Sequence, residues 1–186
     1  MPSPSEAERR SLLQLARLAV TEAVLHDRLP EQIPQDGIYA ERRGVFVTLH
    51  VNSRLRGCIG VVEPDEPLGG AIVRCAASAA KSDPRFQPMQ STELPGLQVE
   101  ISLLSPLTRI APDSVEIGTH GLLMILGERR GLLLPQVAVE HHLDREQFLE
   151  ETCRKAGLPR NSWRNPDARI FGFTCELFSE RLLTSS

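Results

Sequence analysis

One succession of elements occurs twice along the chain, and it limits the fold more than any other feature. In the first occurrence Gly44 to Val51 is apolar and β-branched, Asn52-Ser53 supplies a turn pair, and Arg54 to Val62 returns as a second strand. Pro64 and Pro67 close this hairpin, and Leu68 to Lys81 follows as a helix rich in Gly and Ala, whose small side chains let its backbone approach a sheet. Ser82-Asp83-Pro84-Arg85-Phe86 breaks that helix, because the residue before a proline is pushed out of the α region. A turn at Ser91–Leu94 and the pair Pro95-Gly96 lead into a strand over Leu97–Leu104. There Val99, Ile101 and Leu103 share one face, and Gln98, Glu100 and Ser102 share the other.

The second occurrence has the same order. His120–Leu126 and Gly131–Leu134 form a strand pair around Gly127-Glu128-Arg129-Arg130, and Asp144 caps a helix with Gln147 three positions on. Phe148, Leu149, Thr152 and Cys153 give that helix its inner stripe; Gly157 and Pro159 end it. A strand over Ala168–Phe178 completes the unit. We read an internal duplication over about residues 37–107 and 117–180 within a single domain spanning 1–186. Two such copies around one core imply an α+β fold with largely antiparallel sheet. An extra N-terminal helix precedes them. Ser5-Glu6-Ala7-Glu8 fits a capping box, Leu12, Leu15, Leu18, Ala19, Glu22 and Leu25 recur near helical period, and Pro30 stops it.

Composition excludes several classes of function. At 186 residues the chain buries enough surface to fold without a metal or disulfide staple. Lys and Arg number 21 against 24 Asp and Glu, with no basic tract, and aromatics are only 4%. Phosphate neutralisation and base stacking, the two routes to nucleic-acid binding, are therefore unsupported. No apolar run is long enough to span a membrane. Met1 to Arg10 carries Glu6, Glu8, Arg9 and Arg10 with no apolar h-region, so a cytoplasmic location is expected, with Cys58, Cys75, Cys153 and Cys175 reduced. No CxxC or HExxH spacing occurs, and neither a metal site nor a cofactor is expected.

Chemistry concentrates in two stretches. Leu55-Arg56-Gly57-Cys58-Ile59-Gly60 places two glycines inside an apolar strand, where they mark a bulge or the close approach of a backbone or ligand. A two-residue turn at Asn52-Ser53 sets Val51 opposite Arg54, Leu49 opposite Arg56 and Val47 opposite Cys58, and period-two alternation puts Arg56 and Cys58 on one face. Two readings follow. An Arg beside a thiol favours the thiolate, which makes Cys58 a candidate nucleophile and Arg56 an anion reader; or Cys58 is a small buried hydrophobe opposite Val47.

In Asp83-Pro84-Arg85-Phe86, Arg85 can hold a carboxylate or phosphate bidentately, or Asp83 caps a turn and Arg85 pairs with it or with Glu93. Glu100, if covered, needs a partner such as Arg56 or Arg85 and can act as an acid or base. His120-Gly121 opens the second hairpin, so His120 is either a ligand-binding residue or a turn residue; His141-His142 sits exposed before a helix cap.

The chain resembles the AMMECR-domain family. The resemblance is carried by Phe46–Leu49, Leu55–Gly60, Asp83–Phe86, Val99–Ser105, Gly118–Gly121, Leu133–Ala138 and Lys155–Pro159, and it covers about residues 10–180. His142-Leu143 departs from the Gly-Trp that members often carry there. The family's biochemical activity is not established, and its fold is similar to the duplicated α+β unit. Prokaryotic members resemble component A of the AmmeMemoRadiSam system, which implies a Memo-like protein and a radical SAM protein as partners.

Three functional readings result. A cleft at Arg56, Gly57, Asp83, Arg85 and His120 binds a small anionic molecule or a peptide and acts with those partners. Alternatively, the same cleft is an active site with Cys58 as nucleophile or Glu100 as acid or base. In the third reading LRGCIG is purely architectural, and losing Arg56 costs stability, about 1–3 kcal/mol, through an unpaired buried group.

Overall fold

The computed structural model describes residues 3–180, and they group into two compact units. The first comprises residues up to Leu104 together with Glu176 onward; the second runs from Ser105 to Cys175. The chain is α+β, with two antiparallel sheets of four strands each.

The first unit begins with α1 (Glu6–His26). The Ser5 hydroxyl accepts the Glu8 N–H, and the Glu8 carboxylate accepts the Ser5 N–H, so the expected capping box closes. The helix ends at Asp27, which adopts the left-handed conformation three residues before Pro30. Its buried residues are Leu12, Leu13, Leu15, Ala16, Ala19, Val20 and Ala23. Leu18 and Leu25, expected among them, are instead 45% and 48% exposed. The small Ala16 and Ala23 occupy the inner positions because α1 lies closely along α2 (Leu68–Lys81), itself lined with Ala.

Strands β1 (Val45–Val51) and β2 (Arg54–Val61) form the expected hairpin. Asn52 and Ser53 both have positive φ, as a two-residue turn matching strand twist requires. β1 also pairs with β3 (Leu97–Leu104), and the sheet order is β2-β1-β3-β8, where β8 is Cys175–Ser179. Val45, Val47, Leu49, Val99, Ile101 and Leu103 fill the core beneath α1 and α2.

One register expectation fails. Val51 does face Arg54 and His50 faces Leu55, but Leu49 then faces Gly57, so Arg56 is an extra residue in β2. This β-bulge shifts everything beyond it by one position and turns it to the opposite face. Cys58 therefore faces Thr48 rather than Val47, and leaves the core side of the sheet.

The second unit contains β4 (Thr108–Arg109), β5 (Gly121–Leu126), β6 (Arg129–Leu133), α3 (Pro135–Glu140), α4 (Arg145–Lys155) and β7 (Arg169–Phe173). Its sheet order is β4-β7-β5-β6. The run β6-β5-β7 has the same connectivity as β2-β1-β3, a hairpin whose first strand also pairs with the strand after the helix. Asp144 and Gln147 form the expected reciprocal cap of α4, and Gly157 takes positive φ just beyond it. Phe148, Leu149 and Cys153 enter a core with Leu122, Met124 and Ile170. The single strand expected over 168–178 is two strands, β7 and β8, separated at Thr174, and from Glu176 the chain belongs to the first unit again. The short β4 and α3 were not expected. Each is too brief to impose a period on the sequence.

Candidate functional site

The glycines of Leu55–Gly60 explain how this segment sits. A Cβ on Gly57 would lie 2.1 Å from the Ala79 carbonyl oxygen, so β2 rests directly on the backbone of α2. A Cβ on Gly60 would lie 2.3 Å from the Phe46 ring, which occupies the space a side chain would need. Gly131 in β6 makes the same kind of approach to Ala156, just beyond the end of α4.

β2 is the outermost strand of its sheet, so part of its backbone lacks a neighbouring strand. The turn after α2 supplies the missing partners. Asp83-Pro84-Arg85-Phe86 is a β-turn in which the Phe86 N–H donates to the Asp83 carbonyl at 3.1 Å. The buried Asp83 carboxylate accepts the Cys58 N–H at 2.8 Å. Arg85 Nη2 donates to the Cys58 carbonyl at 3.2 Å. Arg85 also grips Asp83 bidentately, Nε to Oδ1 at 3.0 Å and Nη2 to Oδ2 at 2.7 Å. These hydrogen bonds, led by those from Arg85 and outweighing burial, hold the Asp83 carboxyl well below the usual carboxylate range.

Arg56, the bulged residue, meets Glu93 from the 3₁₀ turn Ser91–Gly96. Nε donates to Oε1 at 2.6 Å and Nη2 to Oε2 at 3.0 Å, and this pairing leads the lowering of the Glu93 pKa. Arg56 Nη1 is buried and has no hydrogen-bond partner among the described residues. Both guanidinium groups lie against Phe86, with Cζ of Arg56 5.9 Å and Cζ of Arg85 5.5 Å from the ring centroid. Arg56 and Arg85 thus converge on one aromatic ring from separate stretches of sequence.

Thr48 Oγ1 donates to Cys58 Sγ at 3.1 Å, and Glu100 is aligned with Thr48 on the other side. Cys58, Thr48 and Glu100 therefore form a row across three strands. Burial raises the Glu100 pKa, partly offset by nearby His50. The bidentate partners of Arg56 and Arg85 are Glu93 and Asp83, not the Glu100 expected from sequence. His50, Gln98, Glu100 and Ser179 help to line a cavity of about 210 Å³. His120 belongs to the second unit, where its Nδ1 accepts the Glu116 N–H at 3.1 Å and braces the turn before β5. His141 and His142 are exposed.

Sequence reasoning passed over Phe86 and Thr48, and did not connect Glu93 with Arg56. Only Phe86 carried a signal, since it immediately follows Arg85; Glu93 is 37 residues from Arg56.

The AMMECR1 family model matches residues 13–178. The chain belongs to this family. A protein of Methanothermobacter thermautotrophicus is 42% identical over 186 residues, covering 95% of this chain and 96% of the relative. One from Thermococcus kodakarensis is 44% identical over 183 residues, covering 91% and 88%. The crystal structure of an uncharacterized family member from Pyrococcus horikoshii superposes with a TM-score of 0.86 at 39% identity, covering 95% of this chain and 93% of that one. No helix among the described residues is long and apolar enough to cross a membrane.

Proposed function

We propose that this AMMECR1-family chain is a binding module whose Arg56–Phe86–Arg85 platform recognises a small anion or an acidic group of a partner peptide. On the family resemblance, it acts with a Memo-like protein and a radical SAM protein. The observation that carries the reading is the buried Arg56 Nη1, a donor without an acceptor beside a second guanidinium on the same ring. A buried unpaired donor is costly, and a ligand carboxylate or phosphate would relieve that cost. Asp83 and Glu93 already balance the two positive charges, so the platform offers directed N–H groups at no net charge. It selects by hydrogen-bond geometry more than by long-range attraction.

The test is calorimetric titration with citrate and with inorganic phosphate. Arg56→Ala should weaken binding at least tenfold, about 1.4 kcal/mol, and Arg56→Lys should not restore the bidentate geometry. Cys58→Ala should leave affinity unchanged. An Arg56→Ala protein that binds both anions like the parent refutes the platform. Co-expression with a Memo-like or radical SAM protein should give co-purification, and its failure counts against the partnership.

A second reading makes the chain an enzyme in which Glu100 exchanges protons beside Cys58. Its support is the Cys58–Thr48–Glu100 row and the raised Glu100 pKa, which keeps more of that carboxyl protonated. Around Cys58, the Arg85 guanidinium interacts with both the carbonyl and the thiol, and the Thr48 hydroxyl donates to the sulfur. Glu100→Gln would abolish any turnover under this reading and leave anion binding intact under the first.

A further inference from the structure

The second unit holds a cavity of about 530 Å³ that neither reading uses. It lies where β4, the 3₁₀ turn Arg160–Arg164 and β7 meet, and its volume is in the range of small-molecule sites. Ile110, Pro112 and Ile170 give it apolar lining, and Trp163 adds an aromatic face. Arg109 and Arg164 are both exposed and bring two guanidinium groups to the lining, which contains no Asp or Glu.

Two further details bear on what this cavity holds. Trp163 Nε1 is buried and has no hydrogen-bond partner among the described residues, an exception to the rule that buried polar atoms are satisfied. The guanidinium of Arg164 stacks on the Trp163 ring at 4.6 Å from the centroid and pairs with Glu146 through Nη2, which leaves its other nitrogens for another acceptor. Arg109 has no ion pair among the described residues.

We propose that this cavity binds a small aromatic carboxylate, its ring against Trp163 and the isoleucine lining and its carboxylate at Arg109 and Arg164. An apolar wall calls for a flat apolar body, and a guanidinium fork calls for a planar two-oxygen acceptor. A neutral ring leaves Arg109 unanswered and Arg164 with Glu146 alone. A simple anion leaves the apolar wall wet.

Trp163 is the only tryptophan in the chain, so its emission reports on this cavity directly. Benzoate is the probe, with benzyl alcohol as the uncharged ring and acetate as the charge without a ring. Benzoate should change Trp163 emission saturably, and benzyl alcohol should bind at least tenfold more weakly. Acetate should produce no saturable change. Arg109→Gln and Arg164→Gln should each weaken benzoate at least tenfold while the protein stays folded at the assay temperature; both side chains are exposed, so losing Arg109, or the surface Arg164–Glu146 pair, costs little stability. Arg56→Ala should leave the titration unaltered, which separates this cavity from the Phe86 platform. A flat benzoate titration, equal affinity for benzyl alcohol, or unchanged affinity in both arginine variants would overturn the proposal.

Discussion

A methyl group on Gly57 would sit 2.1 Å from the carbonyl oxygen of Ala79, so strand β2 and helix α2 touch backbone to backbone. Beside that contact, Asp83 and Arg85 bind the N–H and C=O of Cys58, so the helix end and the strand edge are fixed twice over. Gly57→Ala should therefore destabilise the protein by about 3 kcal/mol, the upper part of the usual range for overpacking. Gly70→Ala is the contrast, since its Cβ would meet only the flexible Glu66 carboxylate. That change should be neutral or stabilising by up to about 1 kcal/mol, because Ala loses less backbone entropy in a helix. Denaturant unfolding of the two variants checks both; a Gly57→Ala protein as stable as Gly70→Ala contradicts the close packing.

Asp83→Asn should cost about 2–3 kcal/mol at neutral pH, because a buried charge-assisted cluster loses its centre. Solvent screens the pair on the Arg85 side, whose side chain is 54% exposed, and limits the loss. The folded-state pKa of Asp83 is depressed, so its contribution is complete above the unfolded value near 3.9 and fades as pH falls towards the folded value. Parent and variant stabilities should thus converge in acid, starting below about pH 4. Urea midpoints across that range test this, and a constant gap between the two proteins would contradict it.

Glu100 has the opposite sign. Its folded-state pKa is raised, so ionisation opposes folding, and stability falls as pH climbs from the unfolded value near 4.3 through the folded one. Glu100→Gln should stabilise the protein at neutral pH and have little effect in acid. Thermal midpoints on either side of that window provide the check. A variant less stable than the parent at neutral pH would mean that the carboxylate is paired and useful.

The four thiols should alkylate in two classes. Cys75 and Cys153 are fully buried, and burial pushes the Cys75 thiol up to about 11 and raises that of Cys153. Cys58 and Cys175 are only half-buried. Iodoacetamide on the native protein should modify Cys58 and Cys175 and spare the other two until denaturant is added. The rate at Cys58 separates its two readings, because the Arg85 guanidinium interacts with its thiol and a guanidinium beside a thiol favours the thiolate. A Cys58 that outpaces free cysteine at neutral pH supports the nucleophile, and one that reacts no faster removes it.

What the sequence determined by itself was the local grammar. The Ser5-Glu8 and Asp144-Gln147 caps, the Asn52-Ser53 turn and the Gly157 helix end form where they stand because each depends on residues a few positions apart. The repeated order of elements was readable for the same reason, since periodicity is a property of a continuous segment. The tertiary structure decided the rest. Leu18 and Leu25 lie outside because α2 offers α1 an Ala-lined surface and selects small residues for the contact. A single bulged residue, Arg56, changed the face on which Cys58 lies, and period-two counting has no means of detecting an insertion in only one strand of a pair. The Asp83–Arg85 pair was among the sequence alternatives, being two positions apart, but Arg56 found Glu93, and Asp83 and Arg85 reached the Cys58 backbone, because sheet edge and helix end meet only in three dimensions. Local geometry is fixed by neighbours in the chain, whereas ion pairs and register are chosen among many distant candidates by packing.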